Sequence, residues 1–329
     1  MKKYICLLLV IIITGVSQAG QAQEEMEFSI RYWMSHGQTK WRHDASTLNS
    51  LYGKPTSELD YQRVNSNIQE VGIIKALSQG HDLKLTLGMG GINEGRLVDD
   101  DYLSASGAEY YGATQSGAHR FSRTHSDING GGVFYFRGEF FPKDFQYNAA
   151  QVNIHFGLGM HYLREEYRAS GVTSVECTVL THPDLNCLPA GSSAYQGVTV
   201  ITNIVEWTGL GIAMDNNIML SQDIQLQVDL TYYPIMSLNN EDTHHLRSDL
   251  AQNPSVRMSG NGTGYDFSAV LKYQFSREVS AQFGYQIWDR SLKNQSITFY
   301  GSQGGSSTAK LMNFRTHRDG YIAGLKFIF

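Results

Sequence analysis

Gly320-Tyr321-Ile322-Ala323-Gly324-Leu325-Lys326-Phe327-Ile328-Phe329 ends the chain, and large apolar side chains alternate there with small or polar ones. Successive side chains of a strand point to opposite faces. Tyr321, Ala323, Leu325, Phe327 and Phe329 therefore share one face, suited to lipid, and Gly324 and Lys326 turn to the other. The ending predicts a membrane-embedded strand.

The other terminus agrees. Lys2 and Lys3 precede an apolar run from Tyr4 to Ile13, and small residues follow around Ala19 and Ala22, the pattern of a secretory signal peptide over residues 1–22. That run is half of the ~20 residues that a membrane-spanning helix needs, and no comparable run follows. A membrane protein of this composition must be a barrel, and residues 23–329 are expected to form it as a single domain. Aromatic residues at 12% and 33 glycines suit strands with one lipid face, one wet face and aromatic girdles. Losing Lys2 and Lys3 leaves 24 basic against 31 acidic residues, a net charge of −7, which offers nothing to nucleic acid.

Strict alternation marks Ile224–Tyr232, with Gln225, Gln227, Asp229 and Thr231 on the inner face. Similar strands run near 265–275, 279–287 and 152–162, with weaker candidates near 27–41, 60–77, 82–91, 128–141 and 198–213. The terminal strand makes ten. Connections alternate short (78–81, 142–148, 214–222, 276–278) and long (42–59, 92–126, 165–197, 236–263, 289–315). The expectation is an all-β fold, a ten-stranded antiparallel transmembrane β-barrel with short periplasmic turns and five long extracellular loops. Ten strands enclose little more than side chains can fill, so function is sought in the loops and upper rims. Cys177 and Cys187 share one loop, where an oxidising periplasm allows a disulfide.

Two rim segments carry chemistry. In Val98-Asp99-Asp100-Asp101-Tyr102, Asp99 and Asp101 share a face if the strand persists; paired carboxylates cannot both ionise freely, so one can hold a proton. A solvated acidic loop or a calcium site are the alternatives. In Asn239-Asn240-Glu241-Asp242-Thr243-His244-His245, a carboxylate two residues from a histidine makes a general base near neutral pH. Strict alternation from Ile224 carries Asp242 and His244 onto the lipid-facing parity unless a bulge near Pro234 shifts the phase.

Together these segments resemble the omptins, ten-stranded outer-membrane endopeptidases with Asp-x-Asp on one rim and Asp-x-His opposite. Ser35-His36-Gly37-Gln38-Thr39-Lys40, Ser57-Glu58-Leu59-Asp60-Tyr61, Gly72-Ile73-Ile74-Lys75, Gly157-Leu158-Gly159-Met160-His161-Tyr162 and Ala323-Gly324-Leu325-Lys326-Phe327 also look like omptin segments. The resemblance implies that Asp99 and Asp101 form the carboxylate pair, that Asp242 orients His244, and that His244 activates a water against a peptide carbonyl without a metal or a covalent nucleophile. It implies a peptide or protein substrate at the surface of a bacterial outer membrane, and lipopolysaccharide as a lipid partner. Of the histidines left over, His125 lies in a stretch comparable to one where omptins also have a histidine.

The departures are specific. Where omptins that cut at basic residues carry pocket acids, this chain has Trp41 and Asn240, so a dibasic substrate is not expected and an apolar or aromatic side chain suits Trp41. At the lipopolysaccharide positions, Tyr162 is followed by Arg164 and Glu166, the reverse of the family order, and Arg257 stands near a family lysine. These losses leave open a non-enzymatic barrel of the same descent: a small porin, an adhesin or a structural surface protein.

Overall fold

The computed structural model describes residues 26–77, 80–115, 117–149, 151–185 and 187–329; the expected signal peptide lies outside them. The strands are β1 (Met26–Asp44), β2 (Tyr52–Ala76), β3 (Asp82–Leu103), β4 (His119–Phe141), β5 (Gln146–Ala149), β6 (Val152–Cys177), β7 (Ser193–Met219), β8 (Ile224–His244), β9 (Val256–Gln274), β10 (Val279–Tyr300) and β11 (Ser306–Ile328). One short helix, α1 (Ala105–Tyr110), follows β3. Each long strand pairs antiparallel with its neighbours, β1 meets β11, and β4 meets β6, so ten strands close a ring. The eleventh, β5, is a four-residue addition at the turn between β4 and β6, and it pairs only with β6.

The strands are much longer than expected. From 19 residues in β1 to 27 in β7, they run ~60–90 Å along the chain, against an apolar band ~25 Å tall in outer-membrane barrels. Segments assigned to loops at 92–103, 165–177, 236–244, 256–263, 289–300 and 306–315 are strand. Their outer face is polar instead of apolar, so lipid-face alternation fades while the hydrogen-bond ladder continues. The connections shrink to 45–51, 104–118, 178–192, 245–255 and 301–305 at this upper end, and to tight turns at the other.

Exposed apolar side chains form a belt around the lower half: Ile30 and Met34 on β1, Leu158 on β6, Leu210 and Ile212 on β7, Ile235 on β8, Leu325 on β11. On the C-terminal strand, Tyr321 and Leu325 are exposed while Ile322 and Lys326 are buried, the parity read from its alternation.

Inside the belt the lumen is filled in layers. Lowest, Lys84 Nζ donates to Asp229 Oδ1 at 2.9 Å and reaches Asp215 at 3.4 Å. Next, Arg290 pairs with Asp266, which also accepts from the Tyr233 hydroxyl at 3.0 Å and lies 2.8 Å from the His161 ring. Trp288 packs edge-on against Trp33 and Tyr135, each with ring centroids 4.5 Å away. Above them Arg318 pairs with Glu165 at 2.8 Å and donates to Ser35 and Ser66. Charges removed from water this way must be paired, and each of these is.

Asp266→Ala leaves the buried Arg290 without its carboxylate and is expected to cost about 3–5 kcal/mol in urea unfolding of the vesicle-inserted protein, against under about 2 for the belt substitution Leu325→Ala. The layered lumen also predicts no steady single-channel conductance in planar bilayers.

Candidate active site

The upper parts of β3 and β8 stand above the apolar belt, and irregularities in both set which side chains face inward. On β3, even-numbered residues point in below (Lys84, Thr86), but the register with β2 shifts between Asn65 and Ser66, which pair with Glu94 and Ile92. The extra Asn93 reverses the phase. Leu97 is then buried, and Asp99 joins it at the wall of the mouth. On β8, Tyr233 is buried, Pro234 and Ile235 are both exposed, and Met236, Leu238, Asn240 and Asp242 are buried. The partner strands skip at this point, with Tyr232 opposite Ile212 but Ile235 opposite Leu210. Proline has no N–H to donate to the ladder, and such a residue suits a bulge. The bulge moves Asp242 from the lipid-facing parity to the lumen.

Asp242 is wholly buried and its carboxylate lies 3.5 Å from His244 Nε2, an ion-pair distance and a long one for a hydrogen bond. Among the described residues, neither Asp242 oxygen has another hydrogen-bond partner. His244 is anchored through its backbone, whose N–H donates to Ser255 Oγ at 3.0 Å. Asp99 and His244 line one cleft of about 100 Å³ across the mouth, together with Leu97, Thr124, Ser126 and Val200. Ser57 Oγ reaches Asp99 Oδ1 at 3.4 Å.

Burial, and then the Asp101 charge beside it, push the Asp99 carboxyl well above the ordinary range. Burial also raises Asp101, although Ser57 and His244 oppose it. Burial depresses His244, but the charge of Asp242, with that of Asp99 behind it, outweighs the loss and raises the ring above its ordinary value. A cationic or proton-accepting ring thus faces a carboxylate pair that readily keeps a proton. This is acid–base chemistry across one cleft.

The other sequence candidates lie elsewhere. Trp41 and Asn240 are buried in the floor below; Asn240 donates to Asn203 and to the Ile204 carbonyl, and neither residue lines the cleft. Tyr162 donates to Glu206 at 2.8 Å on the outer wall, near Arg164, which pairs with Glu166 at 3.0 Å. Arg257 sits on β9, three strands round from β6, and pairs with Glu241. Cys177 and Cys187 form a disulfide with Cα atoms 5.7 Å apart, between the end of β6 and the loop after it. His125, between the cleft-lining Thr124 and Ser126, takes the outward parity.

Four residues of the site were not anticipated. Asn203 is the cross-strand partner of Asp242, Tyr61 lies near both, Ser57 stands beside the carboxylate pair, and Arg247 at the cleft rim. Only Arg247 had a sequence signal, three residues past His244; the others arrive through cross-strand neighbours.

The fold is that of outer-membrane β-barrels. Its ring superposes on the crystal structure of the outer membrane protease OmpT from Escherichia coli with a TM-score of 0.69, over 95% of this chain and 99% of that one, at 13% identity. The translocator domain of the autotransporter NalP from Neisseria meningitidis aligns over 99% of this chain and 95% of its own at 8% identity and a TM-score of 0.34. The attachment invasion locus protein Ail of Yersinia pestis aligns over 94% and 100% at 7% identity and 0.28. No family model and no curated protein sequence matches the chain.

His244 holds its proton more tightly folded than unfolded, so its contribution is complete below pH ~6.5 and is lost as pH rises through the raised folded value. Asp99 and Asp101 are raised too, so they favour the fold when protonated and oppose it as pH climbs past the ordinary carboxylate range of ~4. Asp99→Asn is expected to be more stabilising, relative to wild type, at pH 8 than at pH 4, read from denaturation at a series of pH values. Asp242→Asn should lower the His244 titration midpoint in a ring NMR titration.

Proposed function

We propose that this chain is an outer-membrane endopeptidase of omptin type that cleaves peptides or proteins at the cell surface. The observation that carries the reading is that Asp99 on β3 and His244 on β8 line one cleft above a filled barrel, with Asp101 beside Asp99 and Asp242 behind the His244 ring. The likeness to OmpT supports the fold on which such a site would stand.

In this reading His244 takes a proton from a water whose oxygen attacks the substrate carbonyl carbon, and Asp242 stabilises the resulting imidazolium. The Asp99–Asp101 pair helps to place the water and exchanges a proton with the tetrahedral centre. When the C–N bond breaks, a proton passes to the leaving amine and His244 returns to neutrality. Lipopolysaccharide is proposed as a lipid partner on the outer wall at Tyr162 and Arg164. Glu166 lies 3.0 Å from Arg164 and 2.6 Å from Arg168, so an anionic headgroup there has to compete with a carboxylate.

The full mature chain, refolded with and without lipopolysaccharide and given a mixed peptide library, is expected to cut peptides. His244→Ala and Asp99→Ala should each lose about 10²–10⁴-fold in rate. If wild type cuts nothing, or the variants cut equally well, the protease reading fails and a non-enzymatic surface barrel takes its place; the filled lumen already disfavours the porin form of that alternative.

A further inference from the structure

The walls of the cleft beside Asp99 and His244 differ in kind from the reacting groups. Leu97, Val172, Val200, Ile201 and Leu246 supply half of the lining residues, with the hydroxyls of Thr124 and Ser126 on one side. No carboxylate lines it except Asp99. Besides the His244 ring, the basic side chain on its lining among the described residues is Arg247, which stands at the rim with its guanidinium held by Asp249 at 2.7 and 2.8 Å. The cleft measures about 100 Å³ and opens to solvent.

We infer that this cleft receives the substrate side chain next to the cleaved bond, and that it selects a branched aliphatic residue, Val, Leu or Ile, over Lys and Arg. The inference rests on the endopeptidase reading for the bond cleaved, but the selectivity belongs to the walls. An isobutyl group buries its methyls against Leu97, Val200 and Ile201 and leaves no polar atom unpaired. A lysine or arginine would bring a charge that the aliphatic walls cannot pair and that Arg247 repels, and Asp99, the carboxylate on the lining, is held toward its neutral form by burial and the Asp101 charge. Arg247 and Val172 are thus specificity residues, one by charge and one by volume.

The experiment has two arms on the full mature chain in lipid vesicles. In the first, the bonds cut in a peptide library are mapped by mass spectrometry. Val, Leu and Ile should flank the cleaved bond at least about tenfold more often than Lys and Arg. Arg247→Glu should raise the Arg-to-Leu ratio, and Val172→Trp, which fills the cleft from a half-buried position, should shift cleavage toward Gly and Ala. In the second arm, His244→Asn is titrated with two fluorescent peptides that differ only in Leu against Arg. The Leu peptide should bind at least about tenfold tighter.

Equal cleavage or equal binding of Leu and Arg peptides, or binding of neither, overturns the inference. A Leu preference in binding with no cleavage by wild type upholds the pocket while the endopeptidase reading fails.

Discussion

A backbone inside hydrocarbon has no water to complete its hydrogen bonds, so every N–H and C=O in the membrane must find a partner within the protein. Here that demand is met by closure. The first strand pairs with the last from Glu27↔Ile328 upward, and β4 pairs with β6 across the small β5 insertion. No edge is left in the ring. Everything else follows from closing only ten strands, because the enclosed space is too narrow for a water column and must be occupied by side chains. Trp33, Trp288, Tyr135, Arg290 and Arg318 fill it, and the cations are tolerated because Asp266 and Glu165 meet them inside the same layers.

The filled barrel acts as a pedestal. Its strands continue well above the apolar belt, where the outer face turns polar and the ladder no longer has to shield its carbonyls from lipid. Two departures from regular pairing, near Asn93 and at Pro234–Ile235 on the margin of the belt, reverse strand phase and turn Asp99 and Asp242 inward. The site is held by sheet rather than by free loop, so its reacting groups have rigid support. Burial of the Asp99 and Asp101 carboxylates at one mouth opposes stability once they ionise, a cost usual at functional sites. The paired charges below supply the frame that carries it.

The sequence carries its barrel signal where one face meets lipid. Ile224–Tyr232 and Tyr321–Phe329 read correctly because lipid on one side and a wet or packed interior on the other enforce a strict period of two. Above the belt both faces are polar, and the alternation that identifies a strand disappears although the hydrogen bonds do not. That is why 236–244 and 165–177 read as loop and are strand. The four-residue β5 has too few residues to show any period.

For the site, the sequence determined the chemistry on offer: two carboxylates at i and i+2, and a carboxylate two residues from a histidine. Their local spacing makes each pair share a face wherever the strand continues. Tertiary structure alone decided which face. A one-residue bulge inverts the orientation of every later side chain, and nothing in the alternation of β8 announces that Pro234 and Ile235 both point outward. It also decided the company the pairs keep. Ser57, Tyr61, Asn203 and the aliphatic wall of Leu97, Val200 and Ile201 come from strands far apart in sequence. Only ring closure and register bring them to one mouth.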